Sequence, residues 1–326
     1  MLLTKRKNYK LYVDVCREEQ QEEKKLTELT FSNLELLHEI VMCSLPQQRL
    51  PGEKCARYRS ELAYRIYLLE TALDVQGDLL RKSRKTAHLD SSEKSLIHYY
   101  LGMAFTKLIA RRMFGVDYLL HLSVIPDPKA GYLSAPGSNR NDLIGGRLLQ
   151  DGAYSVWSVK GRSQNSQTAM QIGCREVCDF QFIGRETPQL RAVCMTYYEN
   201  GYLNAIVKLP QKPDSEKNRQ VKVDFGREDY LKAYYSGVCG MYSEEGKKQN
   251  YRQDKKFFED GIATGIPLFS LGEGEKARTL HVGMPQSLLK SVRQTEGQVE
   301  DCLRKLCWQE TLDGGKYLGE DMVYIY

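Results

Sequence analysis

Two short apolar runs carry the residues with the clearest chemical potential. One reads "NDLIGG" and starts with an aspartate, Asp142; the other, "AYSVWSVK", ends on a lysine, Lys160. Strand alternation places Tyr154, Val156, Ser158 and Lys160 on one face, and a neighbouring strand could bring Asp142 beside them. An acid two residues before the lysine would complete a set suited to phosphodiester hydrolysis. In such a set carboxylates hold Mg²⁺, the metal polarises the phosphate and activates water, and the lysine stabilises the nucleophile and the developing charge. Here that position is Ser158, whose hydroxyl is a weak Mg²⁺ ligand. The plain alternative for Asp142 and Lys160 is a salt bridge across a hairpin.

The elements around these residues follow from periodicity. Residues 1–90 read as a helical N-terminal domain. "SNLELLHEIVMCSL" and "RYRSELAYRIYLLETALDVQGDLLRK" form a helix pair broken at Pro51-Gly52, and the basic linker "RKSRKTAHLDSS" follows. A long apolar helix comes next, capped by Ser91 or Ser92 with Glu93 in its first turn and stopping at Gly115. The period then changes to strands: "VDYLLHLSVIP", then a hairpin of "NDLIGGRLL" and "AYSVWSVK" around Asp151-Gly152. A helix, "SQNSQTAMQIGCREVCDFQ", capped by Ser163, precedes a second hairpin turning at Asn200-Gly201. The order over residues 91–215 is helix, three strands, helix, strand. Residues 216–326 read as a mixed extension: a helix at "REDYLKAYYSGVCGMY", a strand at "TLHVGMP", one helix opened by Pro285, and a final strand "DMVYIY". The fold class expected is α/β (α+β).

"NDLIG" followed by a strand ending "VKGRS" resembles the PD-(D/E)XK nucleases, the restriction-endonuclease-like superfamily. In a bacterial group of these proteins "xDLIG" precedes a strand ending "EAKGRS". The resemblance spans about residues 92–210. It implies a restriction-endonuclease-like core sheet flanked by helices, with Asp142 as metal-binding aspartate, Lys160 as catalytic lysine and the Val159 carbonyl as a main-chain metal ligand. It implies Mg²⁺ or Mn²⁺ as cofactor and nucleic acid as partner, DNA ahead of RNA, in restriction, repair or defence. Ser158 departs from the family's acid. Gln171 or Glu176 on the following helix, or Glu93 on the preceding one, could supply the missing group. Arg162, Arg140 and Lys129 are the cations placed to meet a phosphate backbone. Two classes stay open: a metal-dependent nuclease, or a degenerate nuclease fold that binds nucleic acid or protein.

Composition narrows the rest. The 326 residues carry a formal net charge of +5, too small and dispersed an excess to argue for nucleic acid by itself. The N-terminus is charged where a secretory segment would be apolar, and no window approaches a membrane span, so a cytoplasmic protein is expected, with no membrane partner. Nine scattered cysteines and five unclustered histidines offer no zinc pattern. Most of the 21 tyrosines sit at core spacing. The N-terminal helices are the expected surface for a protein partner or a second copy.

Overall fold

The computed structural model describes residues 7–17, 25–43, 54–122, 142–146, 154–183, 186–211, 221–223, 225–245, 262–271, 278–294, 298–306, 311–313 and 316–325. The chain opens with two strands, β1 (Asn8–Arg17) and β2 (Lys25–Ser32), paired antiparallel. This corrects the helical expectation for the N-terminus. Tyr9, Leu11 and Val13 alternate inward, and a row of aromatic and β-branched side chains at period two favours a pleated surface over a helix. Helices α1 (Asn33–Met42) and α2 (Lys54–Ala72) follow. The apolar pattern after α2 belongs to a small hairpin, β3 (Leu73–Gln76) and β4 (Leu79–Lys82), rather than to more helix. A 3-10 turn, Arg84–His88, leads to the long helix α3 (Ser91–Phe114).

Asp90 caps α3, one residue before the serines expected to do so. Its carboxylate accepts from Ser92 N and Glu93 N, while Glu93 accepts from Asp90 N at 3.0 Å. An aspartate combines two acceptor oxygens with a charge that suits the helix N-terminus. Gly115 closes the helix in the left-handed region, as expected. From Leu101 to Arg111 every residue of α3 is buried, so the helix is enclosed on all sides.

Beyond α3 run β5 (Tyr118–His121), β6 (Asp142–Gly146), β7 (Ser155–Gly161), α4 (Gln167–Cys178), the short β8 (Phe180–Ile183), β9 (Leu190–Glu199) and β10 (Tyr202–Leu209). The last two join through Asn200 and Gly201, both at positive φ, the two-residue turn the sequence signals. The turn expected at Asp151-Gly152 lies outside the described residues. All these strands except β8 build one mixed sheet in the order β2-β1-β4-β10-β9-β7-β6-β5, with β3 attached to β4. β7 and β9 are parallel, as are β1 and β10; β5, β6 and β7 form an antiparallel meander. The sheet therefore runs across the boundary expected at residue 90.

The remainder comprises β11 (Val221–Val223), α5 (Arg227–Glu245), β12 (Ile262–Leu271), β13 (Arg278–Pro285), α6 (Gln286–Arg293), α7 (Val299–Leu306), β14 (Thr311–Asp313), β15 (Lys316–Leu318) and β16 (Tyr324–Ile325). β11 pairs with β8, and the last five strands form a separate sheet. The helix expected after Pro285 is two helices, α6 and α7, and β12, β14 and β15 have no counterpart in the expectation. No described helix is long and apolar enough to cross a membrane.

Candidate functional site

The two faces of the sheet at β7 are covered by different helices. Val159 and Gly161 face α3. A Cβ on Gly102 would lie 3.0 Å from Val159 Cγ1, and one on Gly161 would lie 1.8 Å from the His98 carbonyl oxygen. The end of β7 thus touches the backbone of α3, a distance only glycine permits. Ser158 and Lys160 lie on the opposite face, beneath α4. Gly173 lets α4 lie flat there: a Cβ would meet Val193 Cγ1 at 2.5 Å and Lys160 Cε at 3.2 Å. α4 begins at Gln167 because Ser166, not Ser163, caps it, accepting from Ala169 N at 3.2 Å.

One turn beyond Gly173 stands Glu176, and its Oε2 is where the site converges. Ser158 Oγ donates to it at 2.6 Å and Lys160 Nζ at 2.5 Å. Ser158 is fully buried, and the Lys160 side chain is only 8% exposed against 20% for Glu176, so the carboxylate opens toward solvent while its partners do not. β6 completes the frame. Asp142 pairs in register with Ser158, the outermost pair described in that ladder, while β7 continues beside β9 to Gly161. Directly opposed residues of an antiparallel pair share a sheet face, which puts position 142 on the face of Ser158 and Lys160. The strands therefore bring together the aspartate position, the serine and the lysine, and the helix adds an acid.

The other expected site residues fall elsewhere. Gln171 is exposed on α4. Glu93 is exposed too, and its carboxylate completes the cap of α3. Arg162 is exposed just past β7, where its Nη1 donates to the Gly161 carbonyl at 2.8 Å. Arg140 and Lys129 lie outside the described residues, as does the Asp142 side chain. Among the described residues no group of three His, Cys, Asp or Glu side chains could hold a metal. The described carboxylate at this site is that of Glu176.

A second polar cluster, unread in the sequence, is sealed in the core between α1, α3, α5 and the C-terminal segment. His38 Nε2 lies 2.8 Å from Asp321 Oδ1, Tyr234 OH donates to Asp321 Oδ2 at 2.5 Å, and Tyr235 OH donates to the Asp321 carbonyl at 2.7 Å. Arg111 donates to Glu39 at 2.7 Å and to Glu35 at 2.5 Å; Lys107 donates to Tyr234 OH at 2.6 Å. Burial opposes the charge on His38, but Asp321 and Glu39 outweigh it and raise the imidazole to about 9. The same pairing holds Asp321 below its ordinary value despite burial. These charges pair with one another out of reach of solvent, although His38 Nδ1 and Glu39 Oε2 are left without a hydrogen bond, so they act on the fold: they pin the last strands to α1 and α5.

No protein-family model, no curated protein and no solved structure matches the chain.

Proposed function

We propose that this chain is a metal-dependent nuclease of the PD-(D/E)XK, restriction-endonuclease-like type, acting on DNA, in which Glu176 on α4 replaces the acid absent from position 158. The observation that carries the proposal is the shared bond: Ser158 Oγ and Lys160 Nζ both reach Glu176 Oε2. The serine is then the anchor of a carboxylate supplied from the next element. The order helix, three strands, helix, strand, with β9 parallel to β7, supports the same reading.

The chain's own residues would divide the work as follows. Glu176, position 142 and the Val159 carbonyl would hold Mg²⁺ or Mn²⁺, which when bound supplies charge to the phosphate and acidity to a water. Lys160 carries a positive charge on a stem confined between β7 and Gly173, so its ammonium has little freedom. Such a fixed cation stabilises charge that develops in the transition state without first having to reorganise. Ser158 holds Glu176 in place and takes no proton itself.

One observation favours a second reading, a module that binds nucleic acid without cutting: Glu176 Oε2 already accepts two donors. The discriminating experiment is nicking of a supercoiled plasmid with Mg²⁺ or Mn²⁺, paired with duplex binding read by fluorescence anisotropy. For the nuclease, Lys160→Ala lowers the cleavage rate by on the order of 10²-fold or more and changes binding little. Wild-type protein that binds with a salt-dependent affinity and cuts with neither metal establishes the second reading. A folded chain that neither binds nor cuts rejects both and moves attention to protein partners.

A further inference from the structure

The basic linker read in the sequence ends up next to the far end of β7, on the face opposite Glu176. Lys82 Nζ lies 5.8 Å from the centre of the Tyr198 ring, and the His98 ring packs edge-on against the same tyrosine at 5.8 Å. Arg162, leaving β7, is held there by its backbone bond to Thr196 and by the contact of Gly161 with the His98 carbonyl. Neither Lys82 nor Arg162 has a carboxylate partner among the described residues, unlike Lys10, Arg65 and Arg111, which do. Of the acids on the adjoining elements, Asp90 and Glu93 are committed to capping α3, Asp78 pairs with Lys10, Asp74 lies opposite Arg81 in the β3–β4 hairpin, and Glu199 follows Tyr198 on β9 and so alternates to the other sheet face.

Two further observations mark this cluster as suited to an anion. Tyr198 is 8% exposed, and its hydroxyl is buried without a hydrogen-bond partner. A buried orphan hydroxyl costs stability unless something else uses it. His98 is held uncharged, its pKa pushed down to about 4 by burial and then by the charges of Lys82 and Arg162, so the fields of both cations converge on one point.

We infer that Lys82, Arg162 and Tyr198 form a seat for a backbone phosphate of a DNA strand, at the same end of β7 as Lys160 but on the opposite face of the sheet. Lys82 is half-buried on a flexible stem and Arg162 is exposed, so both side chains can turn toward the phosphate, and the Tyr198 hydroxyl, once uncovered, donates to it. Arg84 and Lys85, both exposed, follow Lys82 in the next turn. This rests on the nuclease reading for its substrate but not for its chemistry, since a seat of this kind serves a binding module equally well.

The test uses the full chain, a fluorescein-labelled duplex and no divalent metal. Anisotropy titrations over a salt series compare wild type, Lys82→Gln/Arg162→Gln, Tyr198→Phe, and Lys290→Gln/Lys305→Gln as a charge-matched control, with circular dichroism confirming the fold of each. Losing the two cations that neutralise this one phosphate should flatten the slope of log K against log salt by about 0.9, and the control should leave it unchanged. Tyr198→Phe should weaken binding several-fold at every salt concentration while leaving the slope intact. An unaltered slope in the Lys82/Arg162 variant, a control that flattens it equally, or wild-type protein that binds no duplex each overturns the inference. Plasmid nicking on the same proteins keeps this separate from the nuclease reading: a seat that works in a chain that never cuts leaves the inference standing and removes the nuclease.

Discussion

Replacing Ser158 by glutamate should make folding depend on divalent metal. The serine hydroxyl lies 2.6 Å from Glu176 Oε2, so a carboxylate at 158 stands beside the existing one. Two such charges about 4 Å apart repel by about 4 kcal/mol at an effective dielectric near 20, and Lys160 between them cancels roughly half. Position 158 has no exposed surface, so the added volume costs a further ~1–3 kcal/mol of overpacking. Together these give a loss of about 3–5 kcal/mol without metal. A cation held by both carboxylates turns the repulsion into coordination, and saturation at a hundred times its Kd returns about 2.7 kcal/mol. The double variant Ser158→Glu/Glu176→Gln removes the repulsion altogether, so its loss should fall short of the sum of the single losses by at least ~1.5 kcal/mol. Urea unfolding of the four proteins, each with EDTA and with millimolar Mn²⁺, measures all of this. Additive losses, or a Ser158→Glu protein indifferent to Mn²⁺, would refute the placement of a metal between these two elements.

The remaining predictions concern how the site and core are held. Gly173→Ala puts a methyl 2.5 Å from Val193 Cγ1; it should lift α4, cost about 1–3 kcal/mol in urea unfolding, and weaken Mn²⁺ binding by calorimetry more than Gln171→Ala does. Asp321→Ala strands His38, Tyr234 and the Val323 amide and should cost about 3–5 kcal/mol, read as a drop in the urea midpoint. The pH dependence follows from His38, raised when folded to about 9: its stabilisation is complete below about 6.5 and disappears as pH climbs through 9, a span worth about 3 kcal/mol. Melting temperature against pH should therefore fall from pH 7 to 9.5 in the wild type and much less in His38→Gln. Asp321, lowered when folded, works at the other end: its contribution is present above pH 4 and is lost on acidification below it.

What could be read from the sequence was what local pattern encodes. β6, β7, α4, β9 and β10 each carry their own period, and Asn200-Gly201 specifies a turn that both positive φ values confirm. The N-terminal strands were misread because β1 is stabilised by a distant partner. It pairs with β10, so Tyr12 meets Asn204, and no local window contains that information. The charges in "KLTEL" look helical until β2 is seen lying antiparallel to β1. β12 carries Gly265 and Pro267, residues that weaken a strand reading, and its register slips at both. The His38–Asp321 pair spans nearly the whole chain, and no spacing rule could link the two residues.

The missing acid was a near case, and helix phase alone could have chosen between Gln171 and Glu176. The buried stripe of α4 is Ala169, Met170, Gly173 and Val177, a spacing of three and four that fixes which side meets the sheet. At about 100° per residue, Glu176 stands roughly 60° from Gly173, at the edge of that stripe, and Gln171 roughly 160° away on the far side. A residue at the stripe's edge, one turn past a glycine that lets the helix approach closely, can reach across to β7, and one on the opposite side cannot. The structure agrees: Gln171 is exposed and Glu176 binds both Ser158 and Lys160. The helix supplies the acid because its apolar stripe, which exists to pack on β9, also fixes the rotation that aims position 176 at the end of β7. The serine at 158 fits that rotation, since its short hydroxyl leaves the space beside Lys160 to Glu176 and donates to its carboxylate.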